Sequence, residues 1–357
     1  MKLPTLDLFS GIGGHALALR AALHATAYCD INPCARAVLQ HNMDAGVIDR
    51  APIFTDVVTL KGTQLRAKPS VITASFPCQD ISTSGKGHGI SGGARSGLFH
   101  EVMRLVDELP SVKAVYLENV GAIRHRGLDI VVAELAKRGF RTAWGFFSAE
   151  EVGAHHLRRR WYCLAAKGNF KLPRAKATPY NFEALRSVPR LLSKPAPHSA
   201  ESQALHRRLS LLGNSIVPDT CVLAWNTLVD VLAGAYAPST RSTGSLKDTL
   251  FLARTADDVQ TFAKTSRPKL AKVDLVVDGI AWHAWPTPLQ NPSHHHPSTH
   301  HKTRRETNRM TTRVFHEDQT KARFGFTVVD ERTKATWFLN PEWVEVLMGY
   351  PKHWTRV

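Results

Sequence analysis

The stretch Thr5-Leu6-Asp7-Leu8-Phe9-Ser10-Gly11-Ile12-Gly13-Gly14 decides the fold. A short apolar run, Thr5–Phe9, reads as a strand, and the glycines after it form a tight turn that opens a helix over Gly14–Leu23. Working outward, Ala25–Asp30 predicts a second strand, Ala35–His41 a helix and Val71–Ser75 a further strand. Leu98–Leu109 is then helical, Ala114–Leu117 extended, Leu128–Lys137 helical and Arg160–Ala165 extended. Strands alternating with helices imply parallel pairing, hence a doubly wound α/β sheet.

A glycine turn at the end of a first strand lets a ligand approach the backbone closely, and Asp30 closes the next strand, where a carboxylate accepts from ribose hydroxyls. The glycines fall at Gly11, Gly13 and Gly14, which is not the G-x-G-x-x-G spacing of a nicotinamide site. Any nucleoside cofactor suits this pattern, and so does a plain turn between strand and helix. Asp56, after Ala51–Phe54, is a candidate for holding an adenine amino group or an ordinary turn residue.

The chain of 357 residues is 43% hydrophobic and 21% charged, a globular mixture with room for one large domain or two. Its cysteines, Cys29, Cys34, Cys78, Cys163 and Cys221, show no paired C-x-x-C spacing, which favours a reduced, cytoplasmic protein over a disulfide framework. No segment is expected to supply the ~20 apolar residues of a membrane span, so no membrane association is expected. The net charge of +16 is concentrated: residues 1–150 hold 16 basic and 13 acidic side chains, 151–200 hold 10 and 2, and 301–357 hold 11 and 7. Two separate basic regions suit a bound polyanion, or a solubilising surface.

Four further segments carry chemistry. Ser75-Phe76-Pro77-Cys78-Gln79 follows a strand and precedes the glycine-rich Ser84–Gly89, so Cys78 is a candidate nucleophile, though single cysteines are often inert core residues. Leu117-Glu118-Asn119-Val120 puts a carboxylate at the end of the next strand, at the same sheet edge, where it could also be merely solvated. Arg158 and Arg160 in His156-Leu157-Arg158-Arg159-Arg160 face one side of an extended run, for catalysis or for phosphate. Leu212-Gly213-Asn214-Ser215-Ile216-Val217-Pro218 turns into a helix over Thr220–Leu232.

Together, DLFSGIGG, FPCQ, LENV, H-x-R-x-R and GNSIVP resemble, in order over residues 5–232, the motifs of the DNA cytosine-5 methyltransferase family. The departures are His156, where glutamine is usual, and His155, where proline is common. The resemblance implies a Rossmann-like S-adenosylmethionine-dependent methyltransferase sheet with a smaller C-terminal target-recognition region. It implies Cys78, Glu118, Arg158 and Arg160 as catalytic residues. Cofactor contacts are implied at Asp7, Phe9, Ser10, Gly11, Gly13, Asp30, Ile31, Asp56, Pro77, Asn214 and Ser215. Cys78 would add to carbon 6 of cytosine, Glu118 would bond N3 and the amino group, Arg158 would hold the base, and Arg160 would support Glu118 or the loop. The base must leave the duplex, and Gln79 with Ser82–Gly93 would close over it.

Only about 50 residues separate the arginine motif from GNSIVP, and residues 167–205 read as a basic irregular connection. Phe338–Pro351 resembles the family motif that supports target recognition, and Trp285-Pro286-Thr287-Pro288 resembles the opening of some bacterial and phage members. The expected layout is therefore rearranged: a catalytic domain over 1–235, a linker over 236–250 containing Ala237–Lys247, and a recognition region over 251–357. Lys302, Arg304, Arg305, Arg309 and Arg313 would contact phosphates or bases there, unless the segment is an unrelated tail. His294, His295, His296, His300 and His301 lack ligand spacing, so no metal is expected. The expected partner is double-stranded DNA, with a companion restriction endonuclease acting separately and the protein a monomer. The alternatives are a tRNA cytosine-5 methyltransferase and a catalytically silent nucleic-acid-binding protein of this fold.

Overall fold

The computed structural model describes residues 1–77, 97–125, 127–177, 182–234, 250–253, 275–277, 280–282, 327–329 and 336–357. Cys78, Gln79, Ser82–Gly93, Ala237–Lys247, Trp285–Pro288, the five histidines and the basic residues from Lys302 to Arg313 lie outside the described residues. Contacts divide the chain into two compact units. One comprises Met1–Tyr180, Ser215–Pro286 and Val357, the other Asn181–Asn214 and Thr287–Arg356.

The first unit is built on strands β1 (Leu3–Leu8), β2 (Leu23–Cys29), β3 (Ile53–Phe54), β4 (Val71–Ala74), β5 (Ala114–Val120), β6 (Phe140–Phe147), β7 (Arg160–Lys167) and, after a long excursion, β9 (Leu250–Ala253). Their order is β3-β2-β1-β4-β5-β7-β6-β9. The first five strands pair in parallel, as expected, but β5–β7, β7–β6 and β6–β9 are antiparallel. The alternation in the first third of the chain did not extend to β6, which follows its helix directly and turns back into β7. From β1 the chain runs outward through β2 to β3, then crosses to β4 on the other flank. The crevice beyond the carboxyl ends of β1 and β4 is therefore the topological switch point, where open α/β sheets bind ligands.

Both faces of this sheet are covered. Helices α1 (Gly14–Ala18) and α2 (Pro33–Asp44) follow β1 and β2, and α3 (Leu98–Glu108) and α4 (Leu128–Lys137) flank β5. On one face Leu6, Leu8, Ile72, Ala74, Val115 and Leu117 pack with Phe99, Val102 and Val106 of α3 and Val131 and Leu135 of α4. On the other, Val71, Ala114, Tyr116, Tyr162 and Leu164 form a core with Leu19 and Leu23, the residues after α1. That face also receives Cys221, Trp225 and Leu228 of a helix spanning Pro218–Leu232. Alternate residues of β5 thus serve opposite cores, the period-two pattern of a strand buried on both sides. The helix expected over Gly14–Leu23 stops at Ala18, because Leu23 already pairs with Leu3 in β2. α2 begins earlier than expected, since the Asn32 side chain caps it by accepting from Cys34 N at 2.9 Å.

The second unit contains α5 (Phe182–Arg186), β8 (Leu191–Ser193), α6 (Ala200–Asn214), β12 (Thr327–Val329), β13 (Thr336–Leu339) and α8 (Pro341–Leu347), with β12-β13-β8 forming an antiparallel sheet. Between the two units' segments in sequence run α7, the Pro218–Leu232 helix, and the antiparallel pair β10 (Leu275–Val277) and β11 (Ile280–Trp282). Residues 167–205 are therefore less irregular than their composition suggested, since they hold α5, β8 and the first turns of α6. The division also differs from the expected one: β9 joins the first sheet beyond residue 235, and 181–214 pack with the C-terminal segment. One expectation needs correcting: an 18-residue window within Ala200–Leu232 has a mean hydropathy of 1.2, enough by composition for a span. That stretch is divided into two 15-residue helices and the window is 67% buried, so its apolar content is accounted for by packing.

Glu345 closes the second unit. Fully buried on α8, its Oε1 accepts from Arg208 Nη2 at 2.9 Å, Thr355 N at 2.9 Å and Thr355 Oγ1 at 2.5 Å. This ties α6, α8 and the C-terminal turn together. Glu345→Ala leaves Arg208 without its counter-charge and is expected to destabilise this unit by about 3–5 kcal/mol. Chemical denaturation of the variant beside the wild type checks it; a change below about 1 kcal/mol would mean the network is not a support.

Candidate active site

One row of register partners crosses the first sheet: Phe54–Cys29–Leu8–Ala74–Leu117–Cys163. The motifs follow directly from it. One step beyond lie Asp30, Phe9, Ser75 and Glu118, and β7 enters antiparallel, so its amino end, with Arg160 opposite Val120, meets the carboxyl end of β5. Pairing geometry alone thus gathers four separate segments on one edge.

At the β1–β2 end, both oxygens of Asp30 are engaged by the backbone: Gly11 N donates to Oδ2 at 2.7 Å and Asn32 N to Oδ1 at 2.8 Å. Burial raises the Asp30 pKa, and the two backbone hydrogen bonds oppose the rise. Each oxygen keeps a lone pair for a hydroxyl donor. Gly11 has φ +54°, and a Cβ built there would meet nothing within 4 Å, so the backbone faces open space on the ligand side. Phe9 (φ 52°) and Gly13 (φ 85°) are also left-handed. Ile31, 74% exposed, is one of the few large exposed hydrophobics among the described residues and adjoins Asp30. Asp56 sits past β3, its Oδ1 accepting from Val58 N at 2.9 Å, so the turn role is real and its other oxygen stays available.

Two expected cofactor contacts are instead turned inward. Ser10 is buried, its hydroxyl donating to Asp7 O at 2.7 Å and accepting from Cys29 N at 3.1 Å. Asp7, 1% exposed, points into the sheet face beneath α1. Strand alternation accounts for Asp7, which lies on the face of β1 opposite Leu6 and Leu8, whereas Ser10, beyond the strand, is held inward by its hydrogen bonds to Asp7 and Cys29.

At the β4–β5–β7 end, Pro77 follows β4 half-buried, as the last described residue before Cys78. Asn119 Nδ2 donates to Phe76 O at 3.2 Å, tying β5 to the segment that leads to Cys78. Glu118 lies inside β5 rather than after it, mostly buried, with Arg160 Nε 3.4 Å from its Oε1. Arg158, 5% exposed, donates from Nη2 to the Ser215 carbonyl, and Ser215 is itself buried. The two arginines thus divide: Arg160 meets the glutamate, and Arg158 joins the arginine motif to the GNSIVP segment. His156, in the usual glutamine position, is buried, and His155 is half-buried. Asn214 ends α6, donating to Ser210 O at 2.9 Å.

Comparison with known proteins follows this geometry. Residues 3–356 match the family described as C-5 cytosine-specific DNA methylase. The chain belongs to that family. It is 32% identical over 233 residues to the Type II methyltransferase M.CviJI of Paramecium bursaria Chlorella virus IL3A, a match covering 64% of this chain and 60% of that enzyme. It is 30% identical over 171 residues to the Type II methyltransferase M2.BsuMI of Bacillus subtilis (strain 168), covering 45% and 41%. It is 26% identical over 202 residues to the tRNA (cytosine(38)-C(5))-methyltransferase of Spodoptera frugiperda, covering 55% and 58%. The chain therefore spans less than two thirds of the length of each of these relatives.

S-adenosylmethionine is the cofactor of C-5 cytosine methylases, and the β1–β3 edge fits it. Asp30 offers lone pairs to a ribose, Gly11 leaves room along its backbone, and exposed Ile31 offers an apolar face to a flat base. Sequence reasoning missed Asn119 as a brace for the nucleophile segment, although it stands beside Glu118 in the quoted motif.

Proposed function

We propose that this chain transfers a methyl group from S-adenosylmethionine to carbon 5 of cytosine in a specific duplex DNA sequence, through a covalent Cys78 adduct on a flipped-out base. The observation that carries the reading is the shared edge: the carboxyl end of β4, which precedes Cys78 in sequence, adjoins that of β5 with its Glu118–Arg160 pair, and β1 and β2 bring the Asp30–Gly11 cofactor cradle to the same edge. Carbon 5 of cytosine is a poor nucleophile. Addition of the Cys78 thiolate to carbon 6 forms a C–S bond and shifts the ring's double-bond electrons towards carbon 5. Glu118, oriented by Arg160, accepts from the amino group and, as an acid, donates a proton to N3, which neutralises the charge that develops on the ring and is returned when the adduct breaks down. S-adenosylmethionine, when bound, supplies an electrophilic methyl on its sulfonium. Loss of the carbon 5 proton to a base then restores the double bond and expels Cys78.

The names of M.CviJI and M2.BsuMI, Type II methyltransferases, support DNA and a place in restriction–modification. Of the C-terminal recognition region expected over 251–357, only the part from Thr287 is supported: α8 packs with α6 in the second unit, whereas residues up to Pro286, β9 among them, belong to the first. Similarity to a tRNA methyltransferase favours a second reading, transfer RNA as substrate with the same chemistry. Methyl transfer from labelled S-adenosylmethionine to mixed-sequence duplex DNA and, in parallel, to transfer RNA separates them. Label on DNA, mapped by bisulfite sequencing to one short word, is the expected result. Label on transfer RNA alone would replace the substrate, and label on neither would overturn the reading.

A further inference from the structure

A buried polar row lies beneath the cofactor turn, on a sheet face that is otherwise apolar. Asp7 pairs in register with Tyr28 on one side and Thr73 on the other, and Thr73 with Tyr116. Asp7 Oδ1 accepts from Thr73 Oγ1 at 2.6 Å and stands 3.2 Å from His15 Nδ1. Asp7 and Thr73 are 1% exposed and His15 is 5% exposed, with the His15 ring edge-on to Tyr116 at 5.8 Å. Burying a carboxylate in such a place costs several kcal/mol unless hydrogen bonds offset it.

The cofactor turn explains what that cost secures. Phe9, Gly11 and Gly13 are all left-handed, a conformation that persists only when its surroundings over-determine it. The helix that follows, α1, has five residues and no side-chain cap, too short to hold the turn by itself. Asp7 grips both ends: its carbonyl accepts from Ser10 Oγ at 2.7 Å, and its carboxylate faces His15 on the first turn of α1. Asp7 Oδ2 and His15 Nε2 are buried without a hydrogen-bond partner, and both residues line a small cavity with Thr5, Ala25, Asp49 and Thr73.

We propose that Asp7 and His15 are a positioning pair that sets the cofactor turn Phe9–Gly13 from beneath. Asp7 acts through the turn and does not touch the cofactor. The inference rests on the assignment of this turn to S-adenosylmethionine.

The test is the S-adenosylmethionine Kd, by titration calorimetry on the full chain, with kcat at saturating cofactor measured alongside. His15→Leu keeps the apolar packing and removes the donor, and is expected to weaken binding at least about ten-fold, the scale of a lost hydrogen bond to a charged group. Its kcat at saturating cofactor should stay within about two-fold of wild type, since uniform binding loss leaves kcat unchanged. His15→Asn, which places an amide donor where Nδ1 stood, should restore most of the affinity. Asp7→Asn combined with His15→Leu should be no worse than the weaker single variant, as expected of one shared contact. A His15→Leu protein with wild-type Kd would overturn the pair, and so would a kcat loss with unchanged Kd. A His15→Asn variant as weak as His15→Leu would also overturn it. Wild-type protein that binds no S-adenosylmethionine would instead overturn the cofactor assignment itself.

Discussion

Cys78→Ala is expected to abolish methyl transfer, with a fall in kcat of at least about 10⁴-fold, because no other route makes carbon 5 of cytosine nucleophilic. The other cysteines offer no substitute. Burial pushes the Cys29 thiol up to about 12, and it also raises the Cys163 and Cys221 thiols, so none of the three is a thiolate at neutral pH. Cys34 lies on the first turn of α2, after β2 and away from the β4–β5 segment. S-adenosylmethionine affinity should persist in the variant, since the cradle is held by Asp30 and by Ser10, not by Cys78. Retained turnover would remove the covalent step from the account; simultaneous loss of cofactor binding would make Cys78 a structural residue.

Glu118→Gln should cost about 10²–10⁴-fold in kcat, the usual scale for a positioned acid or base, with little change in nucleic-acid affinity. The amide keeps the carboxylate's shape and can still reach the base. It loses the ion pair with Arg160, 3.4 Å away, and unlike a carboxylic acid has no proton to transfer to N3, where negative charge develops as the thiolate adds. A loss confined to KM would assign Glu118 to binding alone. Steady-state kinetics beside a direct binding measurement distinguish the two, because a transition-state contact lowers kcat and kcat/KM together.

Much of this site was legible because strand ends are local signals. Leu117-Glu118-Asn119-Val120 and Asp7–Gly14 each join an apolar run to polar or glycine residues, and parallel pairing brings such ends to one edge without further information. Contacts that depend on distant partners were not legible. Arg158 and Arg160 are two apart on one run, yet one meets Ser215, which follows it by 57 positions, and the other Glu118. Nothing in their spacing distinguishes those fates. Asp7 was expected at the cofactor because its motif is there, but strand alternation turns it inward. β6 was overlooked since Phe140–Phe147, interrupted by Arg141, Thr142 and Gly145, follows a helix with only a short turn, and its antiparallel return through β7 has no signature that strand–helix alternation supplies. Residues 167–205 looked irregular because their Lys, Arg, Pro and Ser content carries no long apolar period, and the elements they hold, α5, β8 and the start of α6, are short or only begin there.

The most direct test of the central claim is to incubate the protein and S-adenosylmethionine with a duplex whose target cytosines carry fluorine at carbon 5. After methylation the ring then has no carbon 5 proton to lose, so Cys78 cannot be expelled. The account predicts a protein–DNA adduct that survives denaturation, requires the cofactor and maps to Cys78 by peptide mass spectrometry. A protein that methylates ordinary cytosine yet forms no such adduct, or forms it at another residue, would contradict the claim.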